Sequence, residues 1–443
     1  MPASGINTGD TAWLLVSTAL VMLMTPGLAL FYGGMVQKKN VLSTFMHCFF
    51  ALGIVTVQWA VIGYSLAFGK THGGIIGGFD YLFMHNVGLE AKDASSTVPH
   101  ILFMMYQGMF AIITPALIAG AFAERMKFSA YCVFTLAWAT LVYDPLAHWV
   151  WGPDGWLVKR GALDFAGGTV VHLSSGISAL VCAIVLGKRL GYPSRKHAPH
   201  NVTMTVTGAG ILWFGWFGFN GGSALASNGL AALAFANTHL AAATGALAWG
   251  LVEAVRFKKV TMLGVASGLV AGLVGITPAA GFVSPMASIA IGAIAGVVCY
   301  GGVMLKGRFG YDDALDAFGV HGIGGALGAL LTGVFAAKAF NPAGGADGLL
   351  RGGYGVMLTQ VIGVAAAAGF AVVLSFGILV VIDKTIGLRV TPDEEREGLD
   401  TALHGEQGYE LGSTGAGEAH YEAVDPEPAV VPAATRPLVT AVR

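Results

Sequence analysis

Charge is what this sequence has least of. Only 11% of its 443 residues are Asp, Glu, Lys or Arg, against roughly 25% in soluble domains. Its 24 basic and 25 acidic residues leave a formal net charge of −1, a balance that points to no nucleic acid and no acidic partner. Cysteine is equally sparse. Cys48, Cys132, Cys182 and Cys299 all lie in apolar segments without C-x-x-C spacing. A disulfide framework and a zinc site are thereby unsupported, and the four read as packing residues. There is no H-E-x-x-H, no G-x-x-x-x-G-K-[ST] and no G-x-S-x-G, so the commoner metal, phosphate-loop and serine-hydrolase chemistries lack their motifs. The opening MPASGINTGDTAW has no basic stretch followed by an apolar run and a cleavage site, and no signal peptide is expected. Neither an enzyme nor a cofactor is indicated.

Apolar length is what the chain has in abundance. Hydrophobic residues make up 55%, and mean hydropathy is +0.69. A membrane span takes about 20 mostly apolar residues. Eleven such runs can be read, at about 11–34, 42–68, 100–122, 128–147, 168–187, 202–224, 231–255, 260–278, 286–305, 319–337 and 354–382. The expected class is an all-α integral membrane protein whose solvent is the lipid bilayer. Glycine stands at 65 residues, about twice the usual ~7%. Repeats such as Gly264, Gly268, Gly272 and Gly292, Gly296 predict closely packed helices. One set of loops carries thirteen Lys and Arg, the alternate set six. The positive-inside rule then places the N-terminus outside and the C-terminus in the cytoplasm.

Two histidines interrupt the apolar runs in matched settings. His172 sits in DFAGGTVVHLSSG from Asp164, and His321 in DAFGVHGIGG from Asp316. Each follows a valine and begins an H-x-x-x-G. A lone buried histidine is most simply a satisfied core residue, and His47 and His239 are read that way. A matched pair suggests instead an inverted-repeat transporter or channel with a midplane site, because ionisable groups inside a membrane are costly. Ser174 and Ser175 follow His172, but at two and three residues along they make no dependable nucleophile–base pair.

Aromatic residues gather toward the expected outer side. Trp149 and Trp151 follow His148; Trp213, Phe214, Trp216, Phe217 and Phe219 crowd the end of the sixth run; Tyr106 and Phe110 share a helix face. Such faces attract cations, yet Trp and Tyr also line membrane interfaces without any ligand. Asp164 likewise has two readings. It could cap the fifth helix, where orphan N–H groups favour a carboxylate, or it could contact an entering cation. Eight residues separate it from His172, roughly 12 Å along a helix, too far for direct pairing. The last 61 residues hold 12 of the 25 acidic groups. Residues 383–408 are charged and could pack on the cytoplasmic face; 409–443, rich in Ala, Pro, Gly and Glu, read as disordered.

Eight stretches together carry a resemblance: PGLALFYGG (26–34), KKNVLST (38–44), GYSLAFG (63–69), GALDFAGGTVVH (161–172), GWFGFN (215–220), GLVGITPAAGFV (272–283), DAFGVHGIGG (316–325) and GLRVTPDEEREGLD (387–400). The chain resembles the Amt/Mep/Rh ammonium transporters, and within them the bacterial and archaeal Amt branch. The resemblance runs from Asp10 to about Gly408. It implies two inverted five-helix halves, about 11–187 and 202–337, a last helix near 354–382, and a homotrimer with one pore per subunit. By motif match His172 and His321 resemble the twin pore histidines, and Phe110 and Phe219 the stacked gate. Trp151, Ser223 and Phe110 resemble the ammonium-recruitment site, Asp164 the aspartate needed for conduction, and Trp216 a pore-lining tryptophan. Residues 387–405 are similar to the segment that couples subunits and helps engage PII-type regulators. Tyr106 departs from the pattern, standing where phenylalanine is common, and Ala402 stands where plant relatives carry a phosphorylatable threonine.

The expected function is therefore ammonium uptake across the cell (inner) membrane. Ammonium would be recruited outside and deprotonated, and ammonia would pass between the histidines with the proton on a separate path. The alternatives are an ammonium sensor signalling through the tail and a passive gas channel. Both histidines, Trp151 and Ser223 favour the Amt branch over Rh-type gas channels.

Overall fold

The computed structural model describes residues 5–194 and 197–409. Arg195 and Lys196, counted above among the loop charges, and residues 410–443, read above as disordered, lie outside the described residues. Chain contacts divide after Gly408, and all the helices below belong to the unit that ends there.

Ten helices among the described residues are long and apolar enough to cross a membrane, and an eleventh is shorter. In chain order they are α1 Thr8–Met35, α2 Lys38–Phe68, α3 His100–Phe122, α4 Phe128–Lys159, α5 Gly168–Leu186, α6 Val202–Ala224, α7 Gly229–Phe257, α8 Met262–Ile276, α9 Pro285–Phe309, α10 Phe318–Phe335 and α11 Tyr354–Thr385. Several starts carry a side-chain cap: Asn7, Asn201, Asn228, Thr261 and Ser284 each accept from backbone N–H groups one turn in. These satisfy donors that a helix leaves orphaned. The largest departure from the sequence boundaries is α4, expected to stop near 147. It runs through a π-turn at Ala139–Tyr143 to Trp151, then breaks at Gly152 and resumes for one turn at Trp156–Lys159. Pro145 falls in the first turn after the π-turn and brings no N–H to the backbone ladder there.

Small residues set the packing, as the glycine repeats predict. A Cβ on Gly268 would lie 2.4 Å from Trp249 Cβ, and one on Gly272 2.2 Å from Ala241 O. Cβ atoms on Gly292 and Gly296 would lie 2.3 Å from Ala241 O and 2.5 Å from Gly245 O. Both α8 and α9 thus meet α7 at backbone contact, which a side chain at these points would prevent. On the opposite faces α7 and α11 expose Leu247, Leu251, Val373 and Phe376, consistent with an apolar surrounding.

One end of the bundle is tied by buried charge. Arg189 bonds Glu124 at 2.7 Å and Asp312 at 2.8 Å, and all three are buried. Burial opposes ionisation of Glu124 and Asp312, but the Arg189 guanidinium and neighbouring donors outweigh it and hold both carboxyls below the usual range. The tail closes over the same end. Two short helices, α12 Pro392–Glu397 and α13 Leu399–His404, follow α11. Thr391 and Glu394 form a reciprocal capping box on α12. Asp400 accepts from Leu42 N at 3.0 Å and Ser43 N at 2.7 Å, so the tail caps the long helix α2. Glu395 bonds Leu190 N and Arg389, and strand-like bonds join Leu388 and Val390 to Lys127 and Arg125.

Candidate functional site

The two histidines, 149 residues apart in sequence, meet at the crossing of α5 and α10. Their Nδ1 atoms are 3.2 Å apart and their rings lie 5.3 Å apart at 22°. A contact between two ring nitrogens needs one as donor and the other as acceptor, so the pair shares a single Nδ1 proton. His172 Nε2 has no partner. Each histidine sits in a π-turn, Gly168–Leu173 in α5 and Phe318–Gly322 in α10; π-turns re-aim side chains and recur at functional sites. The crossing itself depends on the glycines of the two H-x-x-x-G stretches. A Cβ on Gly176 would lie 1.9 Å from Gly322 N, and one on Gly325 2.6 Å from Leu173 N. The contact is reciprocal: each glycine packs on the backbone beside the other helix's histidine.

The start of each histidine helix is held by an aspartate. Asp164 Oδ1 accepts from Gly167 N and Gly168 N, both at 2.7 Å; Oδ2 accepts from Thr169 N at 2.7 Å and Val170 N at 3.3 Å. Burial pushes this carboxyl above the usual range, against the pull of the four N–H donors. Of its two readings the geometry favours the cap, since both oxygens face backbone N–H groups. The counterpart in the second half is Asp313, not the Asp316 that led the sequence match. Asp313 accepts from Ala317 N at 3.1 Å and Phe318 N at 2.8 Å, and it precedes His321 by the same eight residues that separate Asp164 from His172. That spacing was a usable signal. Asp316 instead pairs with Lys306.

From the histidines a column of rings leads to one end of the bundle. Trp216 stacks on His172 at 5.4 Å and 20°, anchored by Nε1 donating to Thr277 Oγ1 at 2.9 Å. Phe219 lies 6.0 Å from His172 on its other contact. Phe110 covers Phe219 at 4.3 Å and 40°, and Trp151 meets Phe110 edge-on at 6.0 Å. Trp151 Nε1 donates to Asp164 O at 2.9 Å, so one residue both caps α5 and fixes the tryptophan. Ser223, half-buried, donates to Phe219 O at 2.8 Å. A narrow cavity touches both imidazoles, Trp216 and Phe219, and is otherwise walled by Met24, Leu28, Phe31, Ile113, Leu117, Leu212 and Val270. Apart from the imidazoles its side-chain walls offer no ionisable group, which suits a small neutral guest that can hydrogen-bond.

The other candidates fall elsewhere. His47 packs against Phe122, Phe128 and Tyr131, and His239 stacks on Trp213. Trp149 donates to Ile75 O. Ser174 and Ser175 bond back to Val170 O and Val171 O within their own helix, so neither faces His172 as a nucleophile. No group of three or more metal-ligating side chains occurs among the described residues.

Membrane-spanning helices in two inverted halves, crossing at a buried ionisable pair, define a polytopic membrane transporter. The family model described as the Ammonium Transporter Family matches residues 12–409. An ammonium transporter of Bacillus subtilis is 54% identical over 406 residues, covering 91% of this chain and 99% of its own. One of Aquifex aeolicus is 50% identical, covering 92% and 94%. The crystal structure of Saccharomyces cerevisiae Mep2 superposes with a TM-score of 0.84 at 40% identity, over 88% of this chain and 89% of that one. A structure described as a sensor Amt protein also matches, at 30% identity and a TM-score of 0.83 over 89% and 98% of the two chains. The chain belongs to the ammonium transporter family, whose relatives here are named as transporters and not as enzymes.

Proposed function

We propose that the protein takes up ammonium by recruiting the cation at the Trp151 end and passing it inward as ammonia between His172 and His321. The observation that carries this is the unbroken column from Trp151 through Phe110 and Phe219 to His172. An indole and two phenyl rings attract a cation, most strongly once it is desolvated. Beyond them a charge inside the bilayer is heavily penalised, whereas neutral ammonia needs only hydrogen-bond partners, and the imidazoles supply them. Potassium has no proton to give up, so deprotonation rejects it. On this reading Asp164 acts through the cap it forms and through its field, and the proton leaves by the polar histidine route.

Trp151→Leu tests the reading. In liposomes the half-saturating ammonium concentration should rise about tenfold, with a smaller change in maximal flux, because cation–π attraction of up to ~2 kcal/mol acts before deprotonation. An unchanged half-saturating concentration would leave Trp151 as an interfacial anchor only. Sensing is not adopted, since no observation favours it over transport.

The asymmetry of Lys and Arg between the two sets of loops supports a reading with the Trp151 end outside the cell and the tail inside. Single cysteines in the 69–98 loop should then react with an impermeant thiol reagent on intact cells, and cysteines in the 188–200 loop should not; the reverse pattern sinks the orientation. The same reading carries residence in the cell (inner) membrane, a homotrimer, and a PII-type regulator at the docked segment 383–408. Light scattering of the solubilised protein and co-purification with that regulator read the last two directly.

A further inference from the structure

Away from the histidines, α2 and α4 each carry a π-turn, Trp59–Gly63 and Ala139–Tyr143. Gln58 directly precedes the first and Asp144 directly follows the second. Both side chains are buried, and they meet: Gln58 Nε2 donates to Asp144 Oδ2 at 2.7 Å and to Thr140 Oγ1 at 3.2 Å. Thr140 in turn donates to Leu136 O at 2.9 Å. An amide has two protons to give and a hydroxyl one, so every donor of the cluster is spent. Two acceptors are left over, Asp144 Oδ1 and Gln58 Oε1, both buried without a partner. No ion pair reaches Asp144 among the described residues. Its helix neighbours are otherwise engaged: Tyr143 packs on Trp59, and His148 is held by Ala67 O and Thr71 Oγ1. A bare carboxylate inside a bilayer is heavily penalised. One proton on Asp144 removes the charge and supplies the missing donor. An amide's oxygen and nitrogen are interchangeable by position, so the 2.7 Å contact equally fits an acid O–H donating to Gln58 Oε1.

We propose that Gln58 and Asp144 form a resident proton-binding site, separate from the histidine pair, in which the amide holds a carboxylic acid neutral within the membrane. An apolar site can keep such an acid neutral so that it donates a hydrogen bond. A hard metal ion takes about six oxygens. Here the side chains offer Asp144 Oδ1 and Oδ2, Gln58 Oε1 and Thr140 Oγ1, and two of these already face amide hydrogens. A proton needs no such shell. The acid–amide pair ties the two π-turned helices together without leaving a charge between them.

The test is infrared spectroscopy of the full chain in liposomes near neutral pH, in ordinary and heavy water, for wild type, Asp144→Asn and Gln58→Leu. Wild type minus Asp144→Asn should show the carbonyl stretch of a protonated carboxyl, moving to lower wavenumber in heavy water. Gln58→Leu should shift that band to higher wavenumber, since it removes the acid's partner, and it reads the site should Asp144→Asn fail to insert. Ammonium flux through Asp144→Asn should stay at the wild-type level, because the proton is resident. An ionised carboxylate in place of the band would overturn the proposal, and an unfolding temperature that rises with added sodium or potassium would give the site to a metal cation. A band unmoved by Gln58→Leu would overturn the part assigned to the amide. Loss of flux in folded Asp144→Asn would overturn residence and put the proton on the transport route.

Discussion

Liposomes carrying the His172→Ala, His321→Ala double variant are expected to show no ammonium-selective current. The current should fall more than tenfold, or potassium should begin to carry it. The two rings are the ionisable groups on the cavity between the helices, and their 3.2 Å contact is a single donor–acceptor pair. On the proposed route, ammonia entering from the ring column would then meet only apolar wall, and a departing proton would have no polar station. If proton and ammonia travel separately, each turnover carries one charge, and wild-type flux should respond to voltage by about 2.3 kcal/mol per 100 mV. The alanines also vacate space beside Trp216 and Phe219 that water and hydrated cations could fill. Wild-type current together with wild-type exclusion of potassium in the double variant would end the twin-histidine account, and selectivity would pass to Trp151 and the Phe110–Phe219 pair.

Asp164→Ala should be almost as damaging by a different route. Four N–H groups at the start of α5 lose their acceptor at once. Buried unsatisfied donors cost about 1–3 kcal/mol each, so even partial repair by water leaves a loss on the order of 3 kcal/mol. The π-turn that aims His172 begins at those same residues, and the Trp151 indole hangs on the Asp164 carbonyl. Ammonium flux is therefore expected to fall at least a hundredfold, with a lower unfolding temperature in detergent. Asp164→Asn separates shape from charge. It keeps one acceptor oxygen but turns an amide N–H₂ toward two backbone donors, and it should fold better than the alanine variant while transporting poorly. Full flux through the alanine variant would show that neither the cap nor its charge matters to conduction.

Much of the architecture was legible because a bilayer demands long apolar runs, and those runs are hard to hide in a sequence. Ten of the eleven boundaries came within about four residues, and α4 overran because nothing in its composition marks the π-turn at Ala139–Tyr143. The meeting of His172 and His321 was foreshadowed by their matched H-x-x-x-G settings. Only the structure explains why the glycine is there, since its close approach is to the backbone of a helix about 150 residues away. Asp313 was overlooked because Asp316 stands nearer the histidine, although the eight-residue interval to Asp164's counterpart was countable. The acceptors around Tyr106 could not be read at all. Its main partners are carbonyls of Gly218 and Phe219, and backbone groups leave no residue-type signature. The docking of Asp400 onto the start of α2 was invisible for the same reason.

The reciprocal packing of Gly176 and Gly325, with Asp164 and Asp313 at equal intervals, has a consequence for sidedness. Imidazole, glycine and capping carboxylate recur at matching places of α5 and α10. On the proposed route, a midpoint so matched would assign no preference to import over export. Any rectification would then have to come from the two ends, which are unlike: aromatic rings beside Ser223 at one, a folded acidic tail over a buried arginine at the other. Between them the histidines would serve as a two-way turnstile, and net movement would follow whichever gradient stands across it.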